Sequence, residues 1–280
     1  MEMFSFDAAM ALSKGEREYQ EDAIISDFAK GSDAGFVVLA DGMGGHAAGD
    51  IASKIVVTEV YSELMFLKGA EEAFETEIKE LLHDAALGAN GCLKEHMLAY
   101  PETHGMGATL VASVILGGKL YWISIGDSPL FLFRDGVLEQ LNEDHSMAPQ
   151  IDFMAKTGLI APEEARNHPD RNTLTSVLFG ADVPQIDCPA EPVVLQDNDI
   201  LVVASDGLQF LSNGAIEDVL HRNVGKQSTQ IVDELLERVF DLDDPDLDNV
   251  TFSVVKVRDD SVNAMTSNRQ HIQPGIRCVG

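Results

Sequence analysis

Hydrophobic residues occur along this chain in short runs, each bounded by polar or turn-forming residues. Runs of the strand type cover residues 3–12, 23–28, 35–40, 108–116, 119–125 and 129–133. The last of these runs closes with the turn sequence RDG. Because the runs follow one another closely, they predict antiparallel meanders.

Two helical patterns separate these two groups of strands. They cover residues 47–67 and 70–99, and in the second pattern apolar residues recur every three to four positions. An apolar run at 199–204, a helical pattern near 227–240 and a strand at 250–257 follow. Because the strands come in groups around paired helices, instead of alternating with single helices, the pattern predicts an α+β fold.

The chain shows no internal repeat and no low-complexity linker. We therefore expect a single domain over residues 1–258. A polar segment with prolines at residues 146–172 lies inside it. Residues 259–280 have no apolar periodicity, so we expect a flexible C-terminal tail there.

Acidic residues greatly outnumber basic ones. The 280 residues include 47 Asp and Glu against 19 Lys and Arg, which gives a formal net charge of −28. Such a charge repels nucleic acid and anionic membranes, so we expect neither as a partner. The apolar runs are too short to span a bilayer, and the start MEMFSFDAAMALSKGE lacks a basic leader and a cleavage pattern. We expect a cytoplasmic monomer.

The three cysteines give no sign of a structural cross-link. Cys92, Cys188 and Cys278 are odd in number, widely spaced and without a CxxC pair. This pattern favours neither a disulfide framework nor a zinc site, and it fits a reducing compartment.

The segment VVLADGMGGHAAG, residues 37–49, places Asp41 at the end of an apolar run and directly before a glycine cluster. A dinucleotide fold uses such a cluster, but it also needs a following strand that ends in an acidic residue about 20 positions on. Glu59 and Glu63 lie near that distance, yet both fall inside the first helical pattern, and a second helix follows. The context favours a metal ligand at Asp41 over a dinucleotide site.

The same arrangement recurs in other parts of the chain. The run ILVVASDGLQF ends with Asp206 before a glycine, Asp248 stands at the start of the last strand, and Glu21 and Asp22 directly precede another strand. Hard divalent cations such as Mg²⁺ and Mn²⁺ prefer several oxygen ligands of this kind. The sequence therefore predicts a divalent metal site built from strand ends.

Seven motifs occur in one order along nearly the whole chain. They are REYQEDA (17–23), DGMGGH (41–46), GMGATLVA (105–112), SIGDS (124–128), DHS (144–146), SDGL (205–208) and DN (248–249). In this order they resemble the metal-dependent type 2C protein serine/threonine phosphatases (the PPM family), and DGMGGH is similar to the bacterial branch. The resemblance implies a four-layer αββα fold, in which a central antiparallel β-sandwich is flanked by pairs of helices. It also implies a flap at residues 146–172.

The resemblance further implies a set of metal ligands. Two Mn²⁺ or Mg²⁺ ions would be bridged by Asp41 and a water, and a third, weaker ion would lie at Asp127. Asp206 and Asp248 would complete the shell of one bridged ion. The carbonyl of Gly42 would serve the other ion, with Glu21 and Asp22 bound to it directly or through water.

The implied reaction is the hydrolysis of phosphoserine and phosphothreonine in proteins by a metal-bridging hydroxide. Two cations lower the pKa of a bound water and neutralise the phosphate. Arg17 matches the phosphate-clamping arginine of the family, and its planar fork suits two phosphate oxygens. Arg17 and Asp41 are therefore the expected catalytic residues, and phosphorylated proteins and a cognate serine/threonine kinase are the expected partners.

Two alternatives for the function stay open at this point. One is a phosphatase of the sporulation and stress-response branch that is dedicated to one regulatory protein, although the intact REYQEDA motif favours the broader, kinase-opposing branch. The other is a catalytically inactive phosphatase-like binding module, against which the presence of Asp41, Asp206 and Asp248 argues.

Several polar residues in the motifs are expected to support the site. Thr109, Asn249 and His46 are expected to contact the metal ligands without binding an ion themselves. His46 and His145 are candidates for acid–base chemistry, but a histidine beside a glycine turn or an aspartate is as often a hydrogen-bonded structural residue.

Overall fold

The computed structural model describes residues 4–29, 32–45, 48–67 and 74–259. Within them, the strands are β1 (Phe4–Ser13), β2 (Asp22–Phe28), β3 (Ala34–Met43), β4 (Gly107–Ala108), β5 (Leu110–Leu116), β6 (Lys119–Ile125), β7 (Leu130–Arg134), β8 (Val137–Gln140), β9 (Val193–Val194), β10 (Ile200–Ala204) and β11 (Val250–Asp259). The helices are α1 (Ala48–Leu67), α2 (Phe74–Ala99), α3 (Ala148–Lys156), α4 (Pro162–Arg166), α5 (Asn213–Asn223) and α6 (Ser228–Phe240). Short 3₁₀ turns cover Pro101–Thr103 and Asp206–Phe210.

The strands form two antiparallel sheets. The first sheet has the order β1-β11-β10-β7-β8, and the second has the order β2-β3-β5-β6-β9, with β4 pairing with β3. The first and last strands of the chain pair along ten residues, from Phe4 opposite Asp259 to Ser13 opposite Val250. The two ends of the described chain are therefore joined in one sheet.

Three hydrophobic layers hold the sheets and helices together. The inner layer lies between the sheets and includes Leu39, Trp122 and Leu201. One outer layer packs α1 and α2 on the second sheet, and the other packs α5 and α6 on the first sheet. Because each sheet buries both of its faces, its central strands are nearly continuous in apolar residues. The expected four-layer α+β sandwich is confirmed.

The longer elements agree with the periodicity of the sequence. The helical patterns at 47–67 and 227–240 correspond to α1 and α6, and the run at 119–125 corresponds to β6. The pattern at 70–99 corresponds to α2, for which the described helix begins at Phe74. The run at 108–116 is divided into β4 and β5.

Several short elements were missed. Helices α3 and α4 lie inside the segment 146–172, where their polar residues and prolines hid a helical period, and β8 and β9 are only four and two residues long. Helix α5 had a usable signal, since the Ser212 hydroxyl accepts a hydrogen bond from the backbone of Ala215 and caps its start. Its buried Ile216, Val219 and Leu220 follow at helical spacing.

The C-terminal boundary lies at the edge of the described residues. Strand β11 runs to Asp259, so the rest of the expected tail, residues 260–280, lies outside the described residues. The extent of the domain, residues 1–258, stays a prediction. None of the helices in the described ranges is long and apolar enough to cross a membrane.

Helix α2 offers a matched test of the outer hydrophobic layer. Leu93 is fully buried in this layer, whereas Leu98 is 75% exposed on the same helix. Leu93→Ala should lower the free energy of unfolding by about 2–5 kcal/mol, because it removes buried methyl groups and leaves a cavity. Leu98→Ala should change it by less than about 0.5 kcal/mol. Urea unfolding of both variants measures the difference, and equal effects would contradict the packing described.

Candidate active site

An open cavity of about 540 Å³ lies where the ends of both sheets meet. Most residues singled out from the sequence line it, namely Arg17, Glu21, Asp41, Gly42, Thr109, Asp127, Asp206, Asp248 and Asn249. They come from positions as far apart as 17 and 249 along the chain. The fold therefore gathers the predicted carboxylates into one cleft.

Asp41 lies near the end of β3 and is held through its backbone by Thr109. The N–H of Asp41 donates to the Thr109 hydroxyl at 3.0 Å, and its carbonyl accepts from the Thr109 N–H at 2.8 Å. Thr109 itself is buried, and its hydroxyl is 2.8 Å from that of Ser128. The backbone at Asp41 is thus held by Thr109, whose hydroxyl is supported in turn by that of Ser128.

Asp22 stands opposite Asp41 in the β2–β3 pair but is not among the residues that line the cavity. Its side chain is buried, and one carboxylate oxygen accepts a hydrogen bond of 2.8 Å from the Ser205 hydroxyl. Ser205 directly precedes Asp206, so this hydrogen bond joins the start of β2 to the end of β10, where Asp206 begins a 3₁₀ turn. Asp22 was expected to bind an ion directly or through water. Its buried position outside the cavity lining favours binding through water.

Glycines bring backbone oxygens close to the Glu21 side chain. A Cβ atom on Gly42 would lie 2.0 Å from the carbonyl oxygen of Gly49 and 2.6 Å from that of Glu21. A Cβ on Gly49 would lie 2.3 Å from the Glu21 carboxylate. Larger residues at these two positions would therefore displace the oxygen atoms at this side of the cleft.

Arg17 lies in the loop between β1 and β2, the loop that also carries Glu21. Its guanidinium donates to the Asp248 carboxylate, and its side chain is 57% exposed. Asp248 also accepts from the backbone N–H of Asn249 at 2.7 Å. The predicted phosphate clamp is thus directed into the cleft by one of the predicted metal ligands.

Asn249 ties the Arg17 loop to the last strand. Its side-chain oxygen accepts from the N–H of Glu21 at 2.7 Å, and its amide donates to the carbonyls of Lys14 and Tyr19, each at 2.9 Å. All three contacts fall on the loop that carries Arg17 and Glu21. The supporting role expected for Asn249 is therefore compatible with its contacts.

The carboxylates of the cleft are electrostatically strained. Burial raises the pKa of Asp22 and of Asp127 to about 7, and the charge of Asp206 adds to both shifts. Burial also raises the pKa of Asp206 to about 6, helped by Asp248, although a hydrogen bond with Asp41 opposes the shift. The pKa of Asp41 lies well above its usual range because of burial and the charges of Asp22 and Asp206.

The turn after β6 carries Asp127 and is held by His145. The backbone N–H of Gly126 donates to Nδ1 of His145 at 3.2 Å, and the His145 N–H donates to the Gly126 carbonyl at 3.0 Å. His145 is buried and is not among the cavity residues. Its contacts support the structural alternative, while His46 lies outside the described residues.

Two serines in this site were missed in the sequence. Ser205 binds Asp22, and Ser128 binds Thr109, although the residues of each pair are 183 and 19 positions apart. Each serine adjoins a candidate ligand, since Ser205 precedes Asp206 and Ser128 follows Asp127. Polar residues inside the SDGL and SIGDS motifs were the available signal.

Known proteins with similar sequences identify the family of this chain. The sequence profile of the family described as protein phosphatase 2C matches residues 14–244. A serine/threonine phosphatase, stp, from Listeria monocytogenes is 34% identical over 192 residues, which are 66% of this chain and 71% of that protein. The chain belongs to the protein phosphatase 2C family.

Two further proteins are similar to a larger part of this type 2C phosphatase. The protein phosphatase PhpP of Streptococcus pneumoniae is 30% identical over 250 residues, 88% of this chain and 95% of that protein. The crystal structure of the catalytic domain of the serine/threonine phosphatase PstP with two manganese ions has a TM-score of 0.72 and 28% identity, and it covers 91% of this chain and all of that one. The chain is a metal-dependent protein serine/threonine phosphatase of the bacterial type.

The donor set of the type 2C site suits hard divalent cations. The cavity offers the carboxylates of Glu21, Asp41, Asp206 and Asp248, together with the Gly42 backbone, and neither cysteine nor histidine is among the described residues that line it. In the ranges 4–29, 32–45, 48–67 and 74–259, no group of three or more His, Cys, Asp or Glu side chains is already placed so that it could hold a metal ion. The fit therefore rests on the oxygen chemistry and on the shared cavity.

The raised pKa values predict how the metal-free phosphatase responds to pH. Between about pH 4, where an unfolded aspartate titrates, and about pH 7, the folded chain holds more protons at Asp22 and Asp127 than the unfolded chain. The contribution of these groups to stability therefore falls as the pH rises. With a chelator, the melting temperature should be lower at pH 7.5 than at pH 5.5.

Added Mn²⁺ should raise the melting temperature more at pH 7.5 than at pH 5.5, because a cation offsets the repulsion among ionised carboxylates. Scanning calorimetry at both pH values, with EDTA and with Mn²⁺, measures both effects. An equal Mn²⁺ shift at the two pH values would contradict the electrostatic account of the cleft.

Proposed function

We propose that this type 2C phosphatase hydrolyses phosphoserine and phosphothreonine with Asp41, Asp206, Asp248, Glu21 and the Gly42 carbonyl as metal ligands. The observation that carries this assignment is the shared cavity, which is lined by residues from six of the seven motifs. Two ions, Mn²⁺ or Mg²⁺, would bind there, and Asp127 would hold a third, weaker one. Such ions supply a water of lowered pKa and neutralise charge on the phosphate.

The chain's own residues orient the substrate. The guanidinium of Arg17 is exposed on the cleft and presents its fork to two phosphate oxygens. Thr109 holds the backbone at Asp41, and the Ser205 hydroxyl binds the Asp22 carboxylate, so the strand ends that carry both residues are positioned before substrate binds. Met43 follows Gly42 on the cavity wall, and its thioether has no proton to give to the leaving alkoxide.

We further propose a cytoplasmic, monomeric enzyme that opposes a cognate serine/threonine kinase. The likeness to stp and PhpP, which carry the names of serine/threonine and protein phosphatases, supports protein substrates. The net charge of −28 argues against nucleic acid or an anionic membrane as a partner. The complete set of carboxylates argues against an inactive binding module.

Asp41→Asn tests the metal assignment. The variant should lose more than about nine-tenths of kcat on a phosphothreonine peptide at saturating Mn²⁺, because an amide is a poorer bridge between cations than a carboxylate. Its fold should persist, since the change removes a repulsive charge from the cleft. Asp233→Asn, on the exposed face of α6, serves as the control and should keep full activity. Asp41→Asn with more than about a tenth of kcat would show that the assignment is wrong.

Arg17→Ala tests the phosphate clamp. The variant should mainly raise KM for p-nitrophenyl phosphate, because Arg17 contributes binding in the ground state as well as in the transition state. Arg222→Ala, which removes an exposed cation from α5, controls for the loss of charge and should leave KM unchanged. Unaltered KM and kcat in Arg17→Ala would remove Arg17 from the site.

A further inference from the structure

Residues 172–188, here called the wall segment, form one side of the catalytic cleft. Leu174 and Val177 line the cavity that Asp41 also lines. Asn172, at the start of the segment, lines this cavity and also a second one of about 770 Å³. The wall segment therefore lines the catalytic cavity and, at its start, reaches the border with the second cavity.

Backbone hydrogen bonds join the wall segment to the strands of the metal centre. Leu178 and Ala108 exchange two hydrogen bonds, of 2.9 and 3.0 Å, and Ala108 is paired in turn with Gly42. Closer to its start, the wall segment is bound to the residues before α3. The N–H of Met147 donates to the Thr173 carbonyl at 3.0 Å. Leu178 and Thr173 are thus bound to their neighbours by contacts that do not involve Asn90.

One buried side chain on α2 holds the wall from behind. The side-chain oxygen of Asn90 accepts from the N–H groups of Phe179 and Gly180, at 3.0 and 2.7 Å. Its amide donates to the Ala181 carbonyl at 2.7 Å. All its described hydrogen bonds therefore fall on three consecutive residues of the wall segment.

The surroundings of Asn90 make this contact specific. Its neighbours on α2, Ala86, Ala89 and Leu93, are fully buried and apolar, so an amide there is costly unless it is hydrogen-bonded. Gly180 has a φ of +77°, and a Cβ atom on it would lie 2.9 Å from Cα of Lys94. The wall segment therefore packs closely against α2 at Gly180. If it moved away, the Asn90 amide would lose its hydrogen-bond partners.

The second cavity lies where a substrate chain would continue. It extends between the residues of α3, including Asp152, and the stretch that follows Asp206. It shares Asp127, Asn172 and Asp206 with the catalytic cavity. When a phosphorylated side chain occupies the catalytic cavity, the rest of the peptide would therefore lie in the second cavity. A small phosphate ester has no peptide chain and would not reach it.

We propose that Asn90 is a positioning residue for peptide substrates: by holding residues 179–181 it sets the wall against which the polypeptide around the phosphorylated residue binds. This role rests on the proposed function of the cleft. The side-chain hydrogen bonds of Asn90 go to residues 179–181, whereas Thr109 and Asn249 bind the backbone of Asp41 and Glu21, and Ser205 binds the Asp22 carboxylate. Its loss therefore affects peptides far more than small phosphate esters.

The test compares a phosphothreonine peptide with p-nitrophenyl phosphate at one saturating Mn²⁺ concentration. Asn90→Ala should raise KM for the peptide by about tenfold or more and change kcat/KM for the ester by less than about threefold. Gly180→Ala disturbs the same contact from the wall side and should give the same pattern. Combined, the two changes should be less than additive, because both remove one contact.

Asn223→Ala is the matched control. Asn223 is an equally buried asparagine on α5, where it donates to the Val219 carbonyl and to Glu234. This variant should lower the melting temperature and leave the ratio of peptide to ester activity as in the wild type. Trp122, the only tryptophan, donates to Asp187 of the wall segment, so its unchanged emission in Asn90→Ala reports that the fold is intact.

The outcomes separate this role from the proposed function. Wild-type hydrolysis of both substrates that is lost in Asp41→Asn supports the proposed site whatever Asn90 does. An equal change on peptide and ester in Asn90→Ala, or no change on either, would overturn the positioning role. A shifted ratio in Asn223→Ala would also overturn it, because general loss of stability would then explain the effect.

Discussion

Burial of acidic side chains at and beside the cleft is the constraint on which the rest of the structure depends. Asp22, Asp41, Asp127 and Asp206 all have a raised pKa, and burial is the largest cause in each case. Buried carboxylates are costly unless protons, cations or hydrogen bonds compensate them. The stability that tolerates this cost comes from the three hydrophobic layers.

Neutral side chains hold the carboxylates in place. The Ser205 hydroxyl binds Asp22, Thr109 binds the backbone of Asp41, and the Asn249 amide binds the loop that carries Glu21. A neutral donor or acceptor orients an acidic residue without using up the charge that a cation needs. This division explains why serine or asparagine stands next to aspartate in the SDGL and DN motifs.

The proposed metal centre and the proposed peptide site use different parts of the fold. The candidate metal ligands stand on or next to strands, and the β2–β3 and β3–β4 ladders set the positions of Asp41 and Gly42. The second cavity is lined instead by α3, by Asn172 at the start of the wall segment and by the stretch after Asp206. In this proposal, residues outside the ladders contact the peptide, and residues on or next to the strands bind the ions.

The sequence by itself determined the long helices, most strands and the carboxylates at strand ends, because periodicity and turn residues act over a few positions. It missed α3, α4 and α5 and the hydrogen bonds of Ser205, Ser128 and Asn90, and it did not separate Asp22 from the residues that line the cavity. Only the tertiary structure decided these points. Asn90 and Phe179 are 89 positions apart, and Asn249 and Glu21 are 228 apart. Such hydrogen bonds depend on how whole layers pack, which no local pattern records.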